Sequence, residues 1–202
     1  MYEKNEAYGK KALLVVDMVN DFVDQEKGTL VVPGADELVD PMNRLIEAAY
    51  ENDVKVFYIC DSHAPDDREF ENWDPHAVKG TWGAQLAEGL AYDPEKGTIV
   101  EKTTISSFYG TDLEEKLEEY GIQEIYEVGV VTNICVLMAG AEALFRDNNV
   151  KKATAVKDCV AALPDETGRY DDNDYFFNRQ AGLLSIGITG LEEAIEAMKR
   201  QR

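Results

Sequence analysis

Three side chains able to do covalent and acid–base chemistry stand far apart in the chain: the thiol of Cys135, the carboxylate of Asp17 and the amine of Lys102. Cys135 lies in GVVTNICVLMAG. An apolar run ends at Val130 or Val131, Thr132 and Asn133 can cap, and the thiol falls in the first turn of the helix that follows. There the helix dipole and unpaired N–H groups stabilise a thiolate, so a thiol more acidic than that of a free cysteine is expected. The same N–H groups can hold a developing oxyanion. Asp17 closes the apolar run in VVDMVNDF, and Lys102 follows TIVE. Hydrolysing an amide through a thiol needs this trio. A base must take the thiol proton and return it to the departing ammonia, and a carboxylate can do both. A cation beside them favours the thiolate and sets the protonation of the rest. Each residue also has a plain reading: a small buried cysteine, a turn-capping aspartate and a surface lysine.

A second set lies in CDSHAPDDREFENWDPHAVKGTW, residues 60–82, which holds both histidines of the chain, His63 and His76. Histidine is the commonest protein metal ligand, and the segment has neither helical nor strand periodicity to explain it. With Asp61 it offers one carboxylate and two imidazoles, a set that suits zinc, iron or manganese. Exposed loop histidines are the plain alternative.

The elements that must position these residues alternate. KALLVVD (11–17), nearly continuous in apolar residues, reads as a buried strand, and VKVFYIC (54–60), TIVEK (98–102), IQEIYEVGV (122–130) and KKATAVKD (151–158) as further strands, with a weaker one near 186–188. Between them, 36–52 carries Leu38, Met42, Leu45, Ile46 and Ala49 at helical spacing. TDLEEKLEEYG (111–121) has a Thr cap and a closing Gly, and 132–149, 172–185 and 190–202 read as further helices. Strand–helix alternation over the whole length implies one domain, 1–202, with residues 1–9 as a lead-in. The fold class is α/β, a three-layer α/β/α arrangement on a mainly parallel sheet of about six strands. In such sheets sites lie beyond the carboxyl ends of the strands, where Asp17, Asp61 and Lys102 fall and where Cys135 follows closely.

Composition narrows the function classes. Forty acidic against twenty basic residues give a formal charge of −20 and a pI near 4.4. Such a surface repels phosphate backbones and anionic lipid, which speaks against nucleic-acid and membrane partners. No apolar run approaches the roughly 20 residues of a membrane span. The opening MYEKNEAYGK lacks the apolar stretch of a signal peptide. Three cysteines without C-x-x-C spacing suit a reduced, cytoplasmic protein. Cys60, at the end of a strand, reads as core, and Cys159 as structural.

Asp17, Lys102 and Cys135 sit in D-x-x-N-D-F, E-K-x-x-x-S-x-F and G-V-x-T-N-x-C-V contexts that resemble the isochorismatase-like cysteine hydrolases. The likeness runs from about residue 10 to 160. Within that superfamily, D-x-H…W-x-x-H is similar to the nicotinamidases (pyrazinamidases), metal-dependent amidohydrolases of NAD salvage that work through a thioester. The resemblance implies a divalent metal, zinc first and iron or manganese otherwise, held by Asp61, His63 and His76, with Glu69 as a further candidate ligand. It makes Phe22, Trp73 and Tyr109 the aromatic wall of a pocket for a small aromatic carboxamide. It also implies a cis peptide at Val130–Val131, an oxyanion hole from the Val131 and Cys135 amides, and a homo-oligomer, dimer or tetramer. DDREFE and the segment 165–178, DETGRYDDNDYFFN, match no motif of the family. Substrate preference is expected to vary there, with carbamoyl and ureido compounds or a different aromatic amide as the alternative.

Overall fold

The computed structural model describes residues 9–163 and 172–200. The lead-in (1–9) lies outside the described residues except for Gly9, as does the first half of the unmatched 165–178 segment. In chain order the elements are β1 (Lys10–Val16), α1 (Asn20–Val23), α2 (Val39–Glu51), β2 (Lys55–Asp61), β3 (Gly97–Lys102), α3 (Leu113–Glu119), β4 (Ile122–Val130), α4 (Leu137–Phe145), β5 (Lys152–Ala161), α5 (Asp172–Tyr175), α6 (Ala181–Leu183), β6 (Gly187–Thr189) and α7 (Leu191–Met198). Among the described residues the strands form one sheet in the order β3-β2-β1-β4-β5-β6, with every pairing parallel.

Strand alternation sends successive side chains to opposite faces. Leu13 and Val15 of β1 enter one core, while Ala12, Leu14 and Val16 enter the other. Met42, Leu45 and Ile46 of α2 and Leu191, Ala194 and Met198 of α7 close the first core. Leu113 and Leu117 of α3 and Ala139 and Ala143 of α4 close the second. That makes the three expected layers. Each fully buried Leu, Ile or Met contributes on the order of 1.5–3 kcal/mol. No helix among the described residues is long and apolar enough to cross a membrane.

Three helices depart from the periodicity. The expected helix over 132–149 opens with a π-helical turn, Thr132–Val136, and ends at Phe145. Arg146 leaves it with extended backbone, and its guanidinium makes a two-pronged bond to Glu114 (2.9 and 2.6 Å). The stretch 172–185 is interrupted by a second π-helical turn, Phe176–Gln180, where Phe176 is buried with Ala155, Ala181 and Ile186. The last helix, expected over 190–202, closes at Met198.

The connection from β2 to β3 is irregular. Parallel neighbours are usually joined by a helix. Residues 62–96 instead hold one short 3-10 turn, at Arg68–Glu71, with His63 bridged to Val78 and Leu86 to Val19 beyond β1, before the segment returns past α2 to the start of β3. A long irregular segment in a compact domain is where function concentrates.

Candidate active site

Strand order decides which residues meet. Lys102 ends β3, Asp61 ends β2, Asp17 follows β1 and Cys135 follows β4, so four adjacent strands each deliver one group to the same edge. Asp61 and Lys102 are register partners. Asp17 breaks from the sheet with φ 53, a left-handed conformation that aspartate tolerates better than most residues. Its N–H is held by the Ile59 carbonyl (2.7 Å). Gly129, one residue before the end of β4, has φ 110, and a Cβ there would collide with the Val16 carbonyl. That glycine lets β4 pass close under β1 just before the turn that carries Cys135. The Val130–Val131 peptide is cis, as the resemblance implied.

Lys102 is the hub, fully buried. Its Nζ lies 2.9 Å from Asp17 Oδ2 and 3.8 Å from Cys135 Sγ, and it also donates to Asp61 Oδ1. Burial works against its ammonium, but Asp17, Cys135 and Asp61 outweigh that and hold its pKa well above the usual lysine range. Asp17 Oδ1 accepts the Asp61 N–H (3.0 Å). Burial, and then the negative charge of Asp61, push the Asp17 carboxyl up to about 7 against the pull of Lys102.

The thiol departs from expectation. Burial pushes the Cys135 pKa well above 9.0, and Lys102 offsets this only in part because Asp17 and Asp61 oppose it. The turn carrying it is π-helical, not the α-helical first turn that the dipole argument assumed. Two carboxylates thus share one ammonium, and burial favours the protonated thiol. Passing that proton to Asp17 leaves the net charge of the site unchanged, so burial does not oppose the transfer as it opposes loss to solvent.

On the neighbouring wall, Asp61, His63 and His76 each place a ligand atom within 4.8 Å of the others. All three are buried. Nε2 of His63 and of His76 lie 3.7 and 3.8 Å from Asp61 Oδ2. The rings are oriented from behind. His76 Nδ1 meets the Asp74 carbonyl at 2.7 Å, so that nitrogen is the donor and Nε2 is the one directed at the Asp61 side. His63 Nδ1 meets Asp67 Oδ2 at 3.1 Å, while its Nε2 is buried with no hydrogen-bond partner. An orphaned imidazole nitrogen facing a carboxylate and a second imidazole fits a divalent cation. Glu69 lines the same pocket but stands outside the mutually close trio. Burial and the charge of Asp61 raise its carboxyl.

Cys135 of the first set and Asp61 and His76 of the second line one cavity. Cys135, Val131 and Ile134 line one side, Asp61, His76 and Glu69 another, and Phe22 and Trp73 reach in as the aromatic wall.

Residues 11–200 match the family model for the isochorismatase domain. The chain belongs to the isochorismatase family. Its relatives include the nicotinamidase of Saccharomyces cerevisiae, 29% identical over 168 residues that cover 62% of this chain and 77% of that one. Among solved structures, the N-carbamoylsarcosine amidase of Thermoplasma acidophilum aligns with a TM-score of 0.76 at 33% identity, covering 91% of this chain and 97% of the other. The pyrazinamidase of Pyrococcus horikoshii in complex with zinc aligns with a TM-score of 0.78 at 26% identity, covering 90% and 99%. The chain is an amide-hydrolysing enzyme of this family.

Within this isochorismatase-family hydrolase, Tyr109 corrects the sequence expectation. It is 71% exposed and is not among the residues lining the cavity. The Ser106 hydroxyl, held by Glu142 (2.9 and 2.8 Å), accepts the N–H groups of Phe108 (3.2 Å) and Tyr109 (2.8 Å). The loop turns there and leaves the Tyr109 ring outside, while Ile105 lines the cavity. Cys60 and Cys159 are buried in the α2/α7 core, as read from the sequence.

Asp67 and Phe70 went unnoticed in the sequence. Phe70 packs against both imidazoles, 5.3 Å from His63 and 5.6 Å from His76. The four-residue step from His63 to Asp67 was a usable signal. Phe70 had none, because it depends on how the 62–96 segment folds back.

Proposed function

We propose that the enzyme hydrolyses nicotinamide, or a pyridine- or pyrazine-carboxamide of the same shape, to the acid and ammonia. The observation that supports this best is one cavity lined by Cys135, Asp61 and His76 together with Phe22 and Trp73, with Asp17 and Lys102 buried behind the sulfur and His63 completing the ligand trio. Aromatic side chains of this kind suit stacking on a flat heteroaromatic ring.

In this reading Asp17 takes the Cys135 proton as the sulfur attacks the carboxamide carbon. The Val131 and Cys135 amides receive the oxyanion. As the C–N bond breaks, Asp17 gives the proton to the leaving nitrogen, and ammonia departs from a thioester. Asp17 then draws a proton from water, whose oxygen attacks the thioester carbon. Nicotinate leaves, and the thiol regains its proton. Lys102 stays charged throughout, holding Asp17 in place and stabilising the transient thiolate.

Asp61, His63 and His76 would hold the divalent metal, zinc being the first candidate. Bound there, it supplies Lewis-acid polarisation and a fixed positive charge beside the thiol. Glu69 stands close enough to tune that charge.

A second reading draws on the likeness to the N-carbamoylsarcosine amidase: a carbamoyl compound as substrate in the same cavity. Ammonia release from nicotinamide, pyrazinamide and an N-carbamoyl amino acid decides between them. Turnover of the aromatic amides that disappears in Cys135→Ala is expected. Turnover of the carbamoyl compound alone would replace the first reading with the second.

A further inference from the structure

We propose that Asp21, seated against Gly83, is the positioning residue that sets His76 and Phe22 in register across the cavity. The metal part of this rests on the metal-centre reading above; the geometric part does not.

Asp21 sits in α1 and is 6% exposed, with both carboxylate oxygens directed at backbone N–H groups. Oδ2 accepts from Ala77 (2.8 Å) and Oδ1 from Thr29 (3.3 Å). Ala77 directly follows His76 and has φ 43, a left-handed conformation that a residue with a Cβ rarely adopts. Such a backbone persists only where its surroundings over-determine it. The Asp21 carboxylate is the group that grips the Ala77 amide, and so fixes the direction in which the His76 imidazole leaves the chain.

The same helix holds the rest of that loop. Asp21 N–H donates to the Gly83 carbonyl (3.0 Å), and Asn20 donates to the carbonyls of Gln85 and Trp82 (2.9 Å each). Phe22, the next residue, puts its ring 5.3 Å from that of His76. One carboxylate thus ties the aromatic wall to a metal-ligand candidate. Gly83 completes the seat: a Cβ there would collide with the Asp21 carboxylate.

Two substitutions remote from the sulfur test this. Asp21→Asn keeps the shape but replaces one acceptor oxygen by a donor that faces another N–H. Gly83→Ala adds one methyl group in the carboxylate's place. Imidazole NMR of the metal-free protein is simple to read with two histidines in the chain, assigned through His63→Gln. His76 resonances are expected to shift in both variants. Calorimetric titration with zinc is expected to show dissociation constants raised 10–100-fold, the range for outer-shell partners of metal-binding histidines. The double variant should be no worse than the worse single one, because the two act as a unit. Adding Ala77→Gly to Asp21→Asn should recover part of the affinity, since glycine adopts that φ unaided. A merely structural role would not be rescued in this way.

His76 resonances at wild-type positions in both variants would overturn the proposal. Wild-type protein that takes up no zinc would sink the metal reading, while the imidazole shifts would still decide the role of Asp21. If Asp21→Asn does not fold, Gly83→Ala alone carries the decision.

Discussion

Asp17 Oδ2 and Lys102 Nζ face each other at 2.9 Å, both sealed from solvent, and the Cys135 sulfur lies 3.8 Å from the same ammonium. The three therefore work as one charge system. Replacing Asp17 by Asn or Cys135 by Ala should lower kcat by about 10³-fold or more, since each step needs the proton to pass between them. The double variant should be little worse than either single one. Lys102→Met should also destabilise the fold, by about 3–5 kcal/mol, because it strands two buried carboxylates. Steady-state ammonia assays and urea unfolding check these outcomes, and multiplicative losses in the double variant would contradict a single unit.

Phe22 and Tyr109 share an expected role from the sequence but not a location. Phe22 is buried beside His76, and Tyr109 is in solvent. Phe22→Ala should raise KM for an aromatic amide about tenfold through lost stacking and burial. Tyr109→Ala should change KM and kcat less than twofold. A large KM effect at Tyr109 would mean that the 103–111 loop folds inward when substrate is bound.

Most of the fold was legible because parallel strands buried on both faces write themselves as apolar runs, and β1, β2 and β4 do so. The grouping of Asp17, Lys102 and Cys135 was legible for a related reason: the three stand at or just beyond strand ends, where topology leaves little freedom. The residues between Ser62 and Lys96 were less so. They have no period, and their shape comes from long-range bonds such as Asp21 to Ala77 and the bridge between His63 and Val78. Tyr109 failed for that kind of reason, since the Ser106–Glu142 bond, 36 residues apart in sequence, sets its direction. The acidity of the thiol failed because the dipole argument counts neither burial nor the two carboxylates beside it.

Dialysis against a chelator should remove activity, and stoichiometric zinc, manganese or iron should restore it, with one ion per chain by elemental analysis. Ligand addition also stabilises the native state by mass action. At about 100 times its dissociation constant, the restoring metal should contribute about 2.7 kcal/mol and raise the unfolding midpoint. His63→Ala and His76→Ala should lose that stabilisation, while Glu69→Gln should keep most of it, since Glu69 lies outside the close trio. Unchanged midpoints on adding metal to the wild type would return the histidines to a structural role.

Glu127 sits in the middle of β4, fully buried, with neither carboxylate oxygen hydrogen-bonded. Its register partners are Leu14 and Ala155, and Gly140 of α4 lies against the carboxylate, so no charge faces it from these neighbours. Burial alone pushes its carboxyl well above the usual 4.5. The folded state therefore favours the neutral acid. Stability from this residue is intact below the unfolded value of 4.5 and falls as pH rises, until the folded carboxyl itself ionises. Each pH unit within that window costs about 1.4 kcal/mol. Glu127→Gln, which cannot ionise, should gain steadily on the wild type in urea unfolding as pH rises from 5.5 towards 8.5. A constant difference between the two proteins across that range would show that Glu127 ionises in the folded protein at an ordinary pH.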